Sequence, residues 1–190
     1  PFNINDSVNK PISIYATSKI TNELMSYTYN QLFNIQSIGL RFFTVYGPWG
    51  RPDMAYYIFC DKISKGEPID IYNNGDLERD FTYIDDIING TKAAINKNCD
   101  YELFNLGNNK SENIMKIIRL IEEGTGKSAI INYEDMQPGD VKKTYANIDY
   151  SQENLGYKPK ISITEGIPKF VDWYLNYKAH FWYYAALEII

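Results

Sequence analysis

The sequence has very few residues of the types that build metal centres and hydrolytic triads. Its 190 residues include one histidine, His180, and two cysteines, Cys60 and Cys99. A single histidine leaves almost nothing from which to build a Ser-His-Asp triad or a histidine-rich zinc site. The two cysteines are far apart and match no metal-ligand spacing, so we expect free thiols in a reducing compartment and no bound metal.

Positive charge and long apolar runs are also scarce. The formal net charge is -5, and only four of the 19 basic residues are arginines. No basic run interrupts this pattern, which argues against a nucleic-acid partner. No signal peptide opens the chain, and no apolar run approaches the roughly 20 residues that a membrane helix needs. We therefore expect a soluble, cytoplasmic protein with no membrane partner.

A glycine-rich strand-turn-helix unit, which binds dinucleotide phosphates, is missing as well. The segment Gly124-Thr125-Gly126-Lys127-Ser128 resembles the end of a phosphate loop. Position 121, however, is Ile121 where a phosphate loop requires glycine, and the segment follows a helical pattern where it should precede one. The sequence predicts a helix C-terminal turn here.

The residues that are present predict a packed α/β protein. Hydrophobic residues make up 44% of the chain and aromatic residues 15%, which is ample for a core. Helical and strand patterns alternate along the chain. Helices are predicted over 14–32, 55–64, 85–95 and from 111, where Ser111 is a good N-cap, with the last clear helix starting at Thr164; strands are predicted over 38–46, 69–72, 79–84, 103–107 and 129–133.

The predicted strand Ile38–Tyr46 leads into a loop that contains Gly47-Pro48 and Gly50-Arg51-Pro52. In α/β proteins, ligands usually bind in loops that follow the ends of strands. The pattern therefore favours a ligand contact for Arg51. The plain alternative is a surface turn with an exposed arginine.

Tyr15 and Lys19 are four residues apart, so a helix places them on one face, one turn apart. An ammonium group at that distance favours the phenolate, which could take a proton from a sugar hydroxyl while hydride leaves the same carbon. The Y-x-x-x-K spacing is weak evidence alone, because Tyr174 and Lys178 fit it too.

Arg79 precedes a short predicted strand. The guanidinium fork donates two parallel hydrogen bonds and so suits a diphosphate. The alternative is a surface ion pair with a sequence neighbour, Glu78 or Asp80.

In order along the chain, four blocks resemble the extended short-chain dehydrogenase/reductases that act on nucleotide sugars. The blocks are Tyr15-x-x-x-Lys19, Leu40-Arg41-Phe42-Phe43-Thr44-Val45-Tyr46-Gly47-Pro48, Arg79-Asp80-Phe81-Thr82-Tyr83-Ile84-Asp85-Asp86 and Gln137-Pro138-Gly139-Asp140. The continuation Trp49-Gly50-Arg51-Pro52-Asp53-Met54-Ala55 is most similar to the UDP-glucuronate 4-epimerases. The resemblance runs from residue 1 to about Tyr177.

This resemblance implies roles for the acid–base and cofactor residues. Tyr15 would be the catalytic acid/base, and Lys19 would tune it while binding the nicotinamide ribose of NAD. Phe43 would lie against the cofactor. The implied reaction is oxidation of the sugar at C4 by bound NAD, rotation of the keto sugar, and return of hydride to its other face.

The resemblance also implies a UDP-sugar site. Thr44 and Arg51 would hold the sugar carboxylate, since a carboxylate needs a charged donor. Arg79 would contact the diphosphate, and Asp140 a hydroxyl of the UDP ribose or nearby. Asp70 and Tyr72 would contact the uracil.

The implied fold is the C-terminal part of a Rossmann-like extended short-chain dehydrogenase/reductase with its smaller α/β substrate-binding domain. Residues 1–50 would end the Rossmann-like domain. Residues 51–180 would mainly bind the UDP-sugar, with a segment near 69–106 returning to the Rossmann part. Residues 181–190 form an apolar tail to which the sequence assigns no role.

The chain departs from the family in lacking the N-terminal glycine-rich unit. We therefore expect weak NAD binding by the chain alone, an exposed sheet edge, and either homo-oligomers or a missing N-terminal half as partner. Two alternatives to the epimerase stay open: a UDP-glucuronate decarboxylase or sugar 4,6-dehydratase, and a non-catalytic UDP-sugar-binding fragment of a split or truncated enzyme.

Overall fold

The computed structural model describes residues 1–136 and 141–187, with side chains through Ala179. Helices and strands alternate along the chain. In chain order they are α1 (Ile14–Phe33), β1 (Ser37–Phe42), β2 (Thr44–Tyr46), α2 (Ala55–Lys65), β3 (Pro68–Tyr72), β4 (Glu78–Arg79), β5 (Phe81–Tyr83), α3 (Ile84–Ile95), β6 (Tyr101–Leu106), β7 (Glu112–Asn113), α4 (Ile114–Thr125), β8 (Ile130–Glu134), α5 (Asp149–Leu155) and α6 (Ile163–Leu187).

The strands form four pairs, three parallel and one antiparallel. Strand β1 pairs with β6, β2 with β5 and β3 with β8, all in parallel, and β4 pairs with β7 in antiparallel orientation. Parallel partners need a crossover connection, and helices fill these connections. The predicted α/β class is confirmed.

Two predicted strands are each divided in two by a change of partner. At Phe43 the chain leaves β6 and joins β5, because the Phe43 amide donates to Leu106 O at 3.3 Å and the Thr44 amide to Asp80 O at 3.0 Å. The predicted strand 79–84 breaks at Asp80 in the same way, with β4 on β7 and β5 on β2. A continuous apolar pattern carries no information about such an exchange.

The start of α4 also differs from the sequence prediction. The N-cap is Asn113, whose Oδ1 accepts a hydrogen bond from the Met115 amide at 2.8 Å. Ser111 instead donates its hydroxyl hydrogen to Glu78. The predicted cap was wrong because a tertiary partner draws the Ser111 hydroxyl away from the helix.

The core consists of one large cluster and one small cluster. The large cluster packs α2, α4 and α6 against strands β2, β3 and β5, and Phe170 of α6 is fully buried at its centre. The small cluster lies under α3 and α5 and comprises Ile87, Leu106, Ala146, Ile148 and Tyr157. Strand β2 borders both clusters, since Tyr46 belongs to the large one and Val45 packs against the small one, so the loop that follows β2 starts from a rigid base.

Helix α1 is much less covered than the other long helices. Asn30 is its single buried residue, and the Asn30 amide nitrogen donates to Asp100 O at 2.8 Å and Ile35 O at 3.1 Å. Leu24, Leu32 and Phe33 are more than 60% exposed. These contacts tie the C-terminal end of α1 to β6 and leave an apolar face open.

The predicted tail continues α6 as helix through Leu187, and residues 188–190 lie outside the described residues. Among the helices that are described, none combines the length and the hydropathy that crossing a bilayer requires.

Candidate active site

The predicted pair Tyr15 and Lys19 lies at the start of α1. The Ser13 hydroxyl caps this helix by accepting a hydrogen bond from the Ala16 amide at 3.1 Å. The Lys19 ammonium lies 5.2 Å from the centre of the Tyr15 ring. Both side chains line a cleft of about 840 Å³ bordered by α1, β1 and β6, and Tyr15 is 69% exposed. The structure thus brings the two residues together at a surface that a ligand can reach.

An ion pair fixes this part of α1 against β1. Arg41 Nε and Nη2 donate to the two carboxylate oxygens of Glu23 at 2.7 and 2.8 Å, and Nη1 donates to Ile4 O at 3.2 Å. The hydrogen bond to Glu23 raises the pKa of Arg41 despite its partial burial. The one charged residue of the strand therefore anchors the helix that carries Tyr15 and Lys19.

Removing this anchor is expected to cost measurable stability. Glu23→Ala leaves a partly buried guanidinium without its carboxylate, and a hydrogen-bonded charge pair of this kind contributes about 1.5–3 kcal/mol. Urea unfolding followed by circular dichroism measures the loss. The control is Glu153→Ala on the exposed face of α5, for which we expect less than about 0.5 kcal/mol. Equal losses in the two variants would contradict an anchoring role.

A second cleft contains four of the predicted substrate residues. Thr44, Asp70, Tyr72 and Arg79 all line a cavity of about 270 Å³. Thr44 begins β2, Asp70 and Tyr72 lie on β3, and Arg79 ends β4, so three separate strand segments converge here. The remaining wall is largely apolar and consists of Met54, Ala55, Tyr56, Phe59, Ile71, Leu77, Phe81 and Ile114. We call this cavity the Arg79 cleft.

Arg79 is held by main-chain oxygens. Its Nη1 donates to Glu78 O at 2.9 Å and to Lys142 O at 3.3 Å. Asp80 is fully buried and does not form the surface pair that the sequence left open as an alternative. Asp70 accepts a hydrogen bond from the Asn132 side chain at 3.0 Å across the β3–β8 pair.

Arg51 lies in the exposed loop between β2 and α2. Its guanidinium makes a bidentate pair with Asp53 at 3.0 and 2.7 Å, and its side chain is 72% exposed. The hydrogen bonds and charge of Asp53 raise the pKa of Arg51, and Tyr15 makes a smaller contribution in the same direction.

One further predicted site residue that the structure describes, Phe43, is not brought into these clefts. Phe43 packs beside Leu40 and Val45 against the small core cluster, with its ring centre 6.4 Å from that of Phe2. Phe43 is not among the residues that line the Tyr15 cleft. Asp140 lies outside the described residues.

The sequence reasoning did not predict that the carboxylates of Asp80 and Asp86 are buried. Asp80 accepts hydrogen bonds from Thr82 Oγ1 at 2.9 Å, the Asn108 amide at 2.6 Å and the Ala146 amide at 3.0 Å. Burial raises the pKa of Asp80, and these donors act in the opposite direction. Asp86 likewise accepts from the Lys160 and Ile161 amides. An acidic residue within an apolar block was the available signal.

The residues present fit part of a dinucleotide. Tyr15 and Lys19 could hold a nicotinamide ribose, since both reach one open cleft. A pyrophosphate needs the amides of a helix N-terminus. Gly124-Thr125-Gly126 cannot supply them, because Gly126 is the C-cap of α4 with φ +68°. Over residues 1–136 and 141–179 no cluster of three or more His, Cys, Asp or Glu side chains is placed to hold a metal ion.

Comparison with known proteins decides the family. The model of the NAD dependent epimerase/dehydratase family matches residues 2–107, which is more than half of the chain. The chain belongs to this family. The predicted resemblance to nucleotide-sugar epimerases is confirmed, and NAD is the cofactor of the family.

Individual curated relatives match this family member over nearly its whole sequence. An uncharacterized protein of Methanocaldococcus jannaschii is 52% identical over 94% of this chain and 55% of its own length. UDP-glucuronate 4-epimerase 4 of Arabidopsis thaliana is 42% identical over 93% of this chain and 44% of its own length. The chain thus spans about half the length of the curated relatives it matches.

A solved structure shows the same fold. UDP-glucuronic acid 4-epimerase from Bacillus cereus, in complex with UDP-glucuronic acid and NAD, superposes with a TM-score of 0.81 at 37% sequence identity. The match covers 86% of this chain and 53% of the Bacillus chain. The Rossmann-like epimerase fold expected from the sequence is confirmed.

Proposed function

We propose that this family member provides the sugar-nucleotide site and the Tyr15–Lys19 acid–base pair of an NAD-dependent epimerase acting at C4 of a UDP-hexuronate, UDP-glucuronate or UDP-galacturonate. The observation that carries the proposal is the convergence of Thr44, Asp70, Tyr72 and Arg79 on one cleft. These residues come from three strand segments, and the family resemblance implies a substrate contact for each of them.

The chemistry of the Arg79 cleft suits a nucleoside diphosphate. The Arg79 guanidinium can donate to diphosphate oxygens, and Tyr72 offers an aromatic surface for the uracil. Asp70 can accept hydrogen bonds from the base, and Asp140 is proposed to hold a ribose hydroxyl. The apolar remainder of the wall excludes water from the base.

Arg51 and Thr44 are the proposed ligands of the sugar carboxylate. Arg51 is paired with Asp53 at an exposed position, where an ion pair contributes little. Exchanging Asp53 for a substrate carboxylate therefore costs little free energy. The bidentate pair between Arg51 and the substrate carboxylate is less exposed to water and is therefore stronger. This arrangement favours a hexuronate over a neutral hexose.

Tyr15 is the proposed acid/base and takes the proton of the sugar O4. Lys19 lies over the same ring and stabilises the phenolate form of Tyr15 that accepts this proton and becomes the phenol. Bound NAD would supply the hydride acceptor and donor for C4. Phe43 as a cofactor contact stays a prediction.

The proposed domain boundaries place residues 1–50 in the Rossmann-like part and residues 51–180 mainly in the substrate-binding part. The returning segment near 69–106 contains β5 and β6, which pair with β2 and β1. This pairing supports the proposed return of the chain to the Rossmann-like part.

Calorimetric titration of the purified chain tests the proposal. We expect UDP-glucuronate to bind, Arg51→Ala to weaken that binding about 10- to 100-fold while UDP-glucose binding is unchanged, and Arg79→Ala to weaken both. Arg119→Ala, at an exposed position of α4, is the matched control and should change neither. NAD is expected to bind weakly to the chain alone.

Two results would contradict the proposal. One is an unaltered chain that binds no UDP-glucuronate, and the other is an Arg51→Ala variant that keeps its preference for the uronate. The plant and Bacillus relatives are UDP-glucuronate 4-epimerases, which supports epimerisation over the decarboxylase and dehydratase alternatives. Product mass separates these reactions, since epimerisation changes no mass.

A further inference from the structure

The loop Gly47–Asp53, which we call the Arg51 loop, contains a tryptophan in an unusual conformation. Trp49 has φ +61° and is 77% exposed. The left-handed region is unfavourable for a bulky side chain and persists only where the surroundings enforce it. The surroundings of the loop must therefore hold it in this shape.

The Trp49 ring contacts α6. The ring centre of Trp49 lies 5.3 Å from that of Trp173 and 5.5 Å from that of Tyr177. Trp173 and Tyr177 are one helical turn apart and stack on each other at 5.2 Å with an interplanar angle of 16°. Aromatic contacts of this geometry are favourable beyond the area that they bury.

The opposite side of the loop is fixed on Tyr56 of α2. A Cβ at Gly50 would lie 1.8 Å from Tyr56 Oη, so no side chain larger than that of glycine fits. Burial raises the pKa of Tyr56 to about 12, against a hydrogen bond from the Gly47 backbone that lowers it. The Met54 amide donates to Arg51 O at 3.2 Å, which joins the loop to the first turn of α2.

Arg51 itself contributes nothing to this anchoring through its ion pair. Its partner Asp53 is in the same loop, so the pair moves with the loop and cannot fix the guanidinium relative to Thr44 or Tyr15. The position of Arg51 is set by contacts made by its neighbours.

We infer that Trp49, Trp173 and Tyr177 form an aromatic clamp that positions Arg51 and thereby sets the preference for a carboxylate-bearing sugar. Trp49 is a positioning residue, since it acts through Arg51. The inference rests on the proposed function, because it takes Arg51 as the carboxylate ligand. Helix α6, which contributes no residue to the lining of either cleft, thus controls specificity.

Titrations with UDP-glucuronate and UDP-glucose test the clamp. We expect Trp49→Ala and Tyr177→Ala each to reduce the preference for UDP-glucuronate about 10-fold and to leave UDP-glucose binding unchanged. Trp49→Phe, which keeps a ring, should restore most of the preference. Phe33→Ala on α1 is the matched control, since Phe33 is a similarly exposed aromatic residue at 62%.

A double-mutant cycle distinguishes positioning from a separate binding contribution. Because Trp49 acts through Arg51, the Trp49→Ala/Arg51→Ala variant should lose no more preference than Arg51→Ala alone. Additive losses would overturn the inference and leave Arg51 as the carboxylate ligand. Full preference in Trp49→Ala would overturn it in the same way.

Hydrogen exchange provides a readout that needs no ligand. The amides of Gly50 and Met54, which bond to Gly47 O and Arg51 O, should exchange faster in Trp49→Ala and Tyr177→Ala than in the unaltered chain. Unchanged exchange at both amides would overturn the clamp. An unaltered chain that binds no UDP-glucuronate would overturn the proposed function and the inferred selectivity with it, whatever the exchange rates.

Discussion

Replacing Asp80 with alanine is expected to lower the free energy of unfolding by about 3–5 kcal/mol, the largest loss for any polar side chain described above. The Asp80 carboxylate is fully buried and accepts from Thr82, the Asn108 amide and the Ala146 amide. Alanine would leave these donors buried without an acceptor, and each unsatisfied donor costs about 1–3 kcal/mol.

The loss would extend beyond β5, because Asp80 joins segments that are distant in sequence. The Asn108 amide belongs to the turn after β6, and the Ala146 amide to the segment that returns past Phe2. Gly107 lies so close that a Cβ there would be 2.8 Å from Asp80 Oδ2. Asp80 directly follows Arg79 in the chain, so loss of the contacts of Asp80 should loosen the Arg79 cleft.

Urea unfolding followed by circular dichroism measures this effect. The control is Asp85→Ala, which removes an exposed carboxylate from the first turn of α3 and should cost at most about 1 kcal/mol through the helix dipole. A loss below 1 kcal/mol in Asp80→Ala would show that the three donors find other partners and that Asp80 is not a structural centre.

Phe170→Ala is expected to cost about 3–5 kcal/mol, because it opens a cavity at the centre of the large core cluster. Phe170 is fully buried, and its ring centre lies 4.8 Å from that of Tyr56, 5.8 Å from that of Tyr57 and 6.0 Å from that of Trp173. The surrounding rings belong to two helices and cannot all move inward to fill the space.

The matched control is Leu175→Ala on the same helix, where the side chain is 40% exposed and the loss should stay near 1 kcal/mol. Phe170→Leu should recover part of the stability by refilling the cavity. Thermal and urea unfolding of the three variants give the comparison. Equal losses at the two positions would mean that Phe170 is not the centre of the packing.

The helices were predictable because their signals are local. Residues 14–32 and 55–64 repeat apolar side chains at helical spacing, and the observed α1 and α2 extend each prediction by a single residue at the C-terminal end. Gly66 ends α2 with φ +73°, a conformation that favours glycine and is likewise set locally.

The divided strands and the buried carboxylates were not predictable, because they depend on partners far along the chain. Nothing in the run 38–46 distinguishes residues that pair with β6 from residues that pair with β5. Asp80 follows an arginine, which locally suggests a surface pair. Its actual partners, Asn108 and Ala146, lie 28 and 66 residues away.

The substrate residues in the Arg79 cleft were predicted by a different route. The family resemblance, which rests on four ordered sequence blocks, implies substrate roles for Thr44, Asp70, Tyr72 and Arg79, and their spacing alone does not. The aromatic contact between Trp49 and α6 was not predicted, because it joins residues more than 120 positions apart. Helical periodicity places Trp173 and Tyr177 beside the core but does not identify Trp49 as their partner.

The parallel strand pairing has a consequence for how quickly the chain reaches its native state. Ser37 pairs with Tyr101, and Pro68 pairs with Ile130, so each ladder closes a loop of more than 60 residues. The chain must lose the conformational entropy of closing these loops before the strand pairs supply stabilising contacts that offset the loss. Helices α1 and α4 can form on the microsecond scale, whereas the two clefts come into existence only in the slow, final stage of folding.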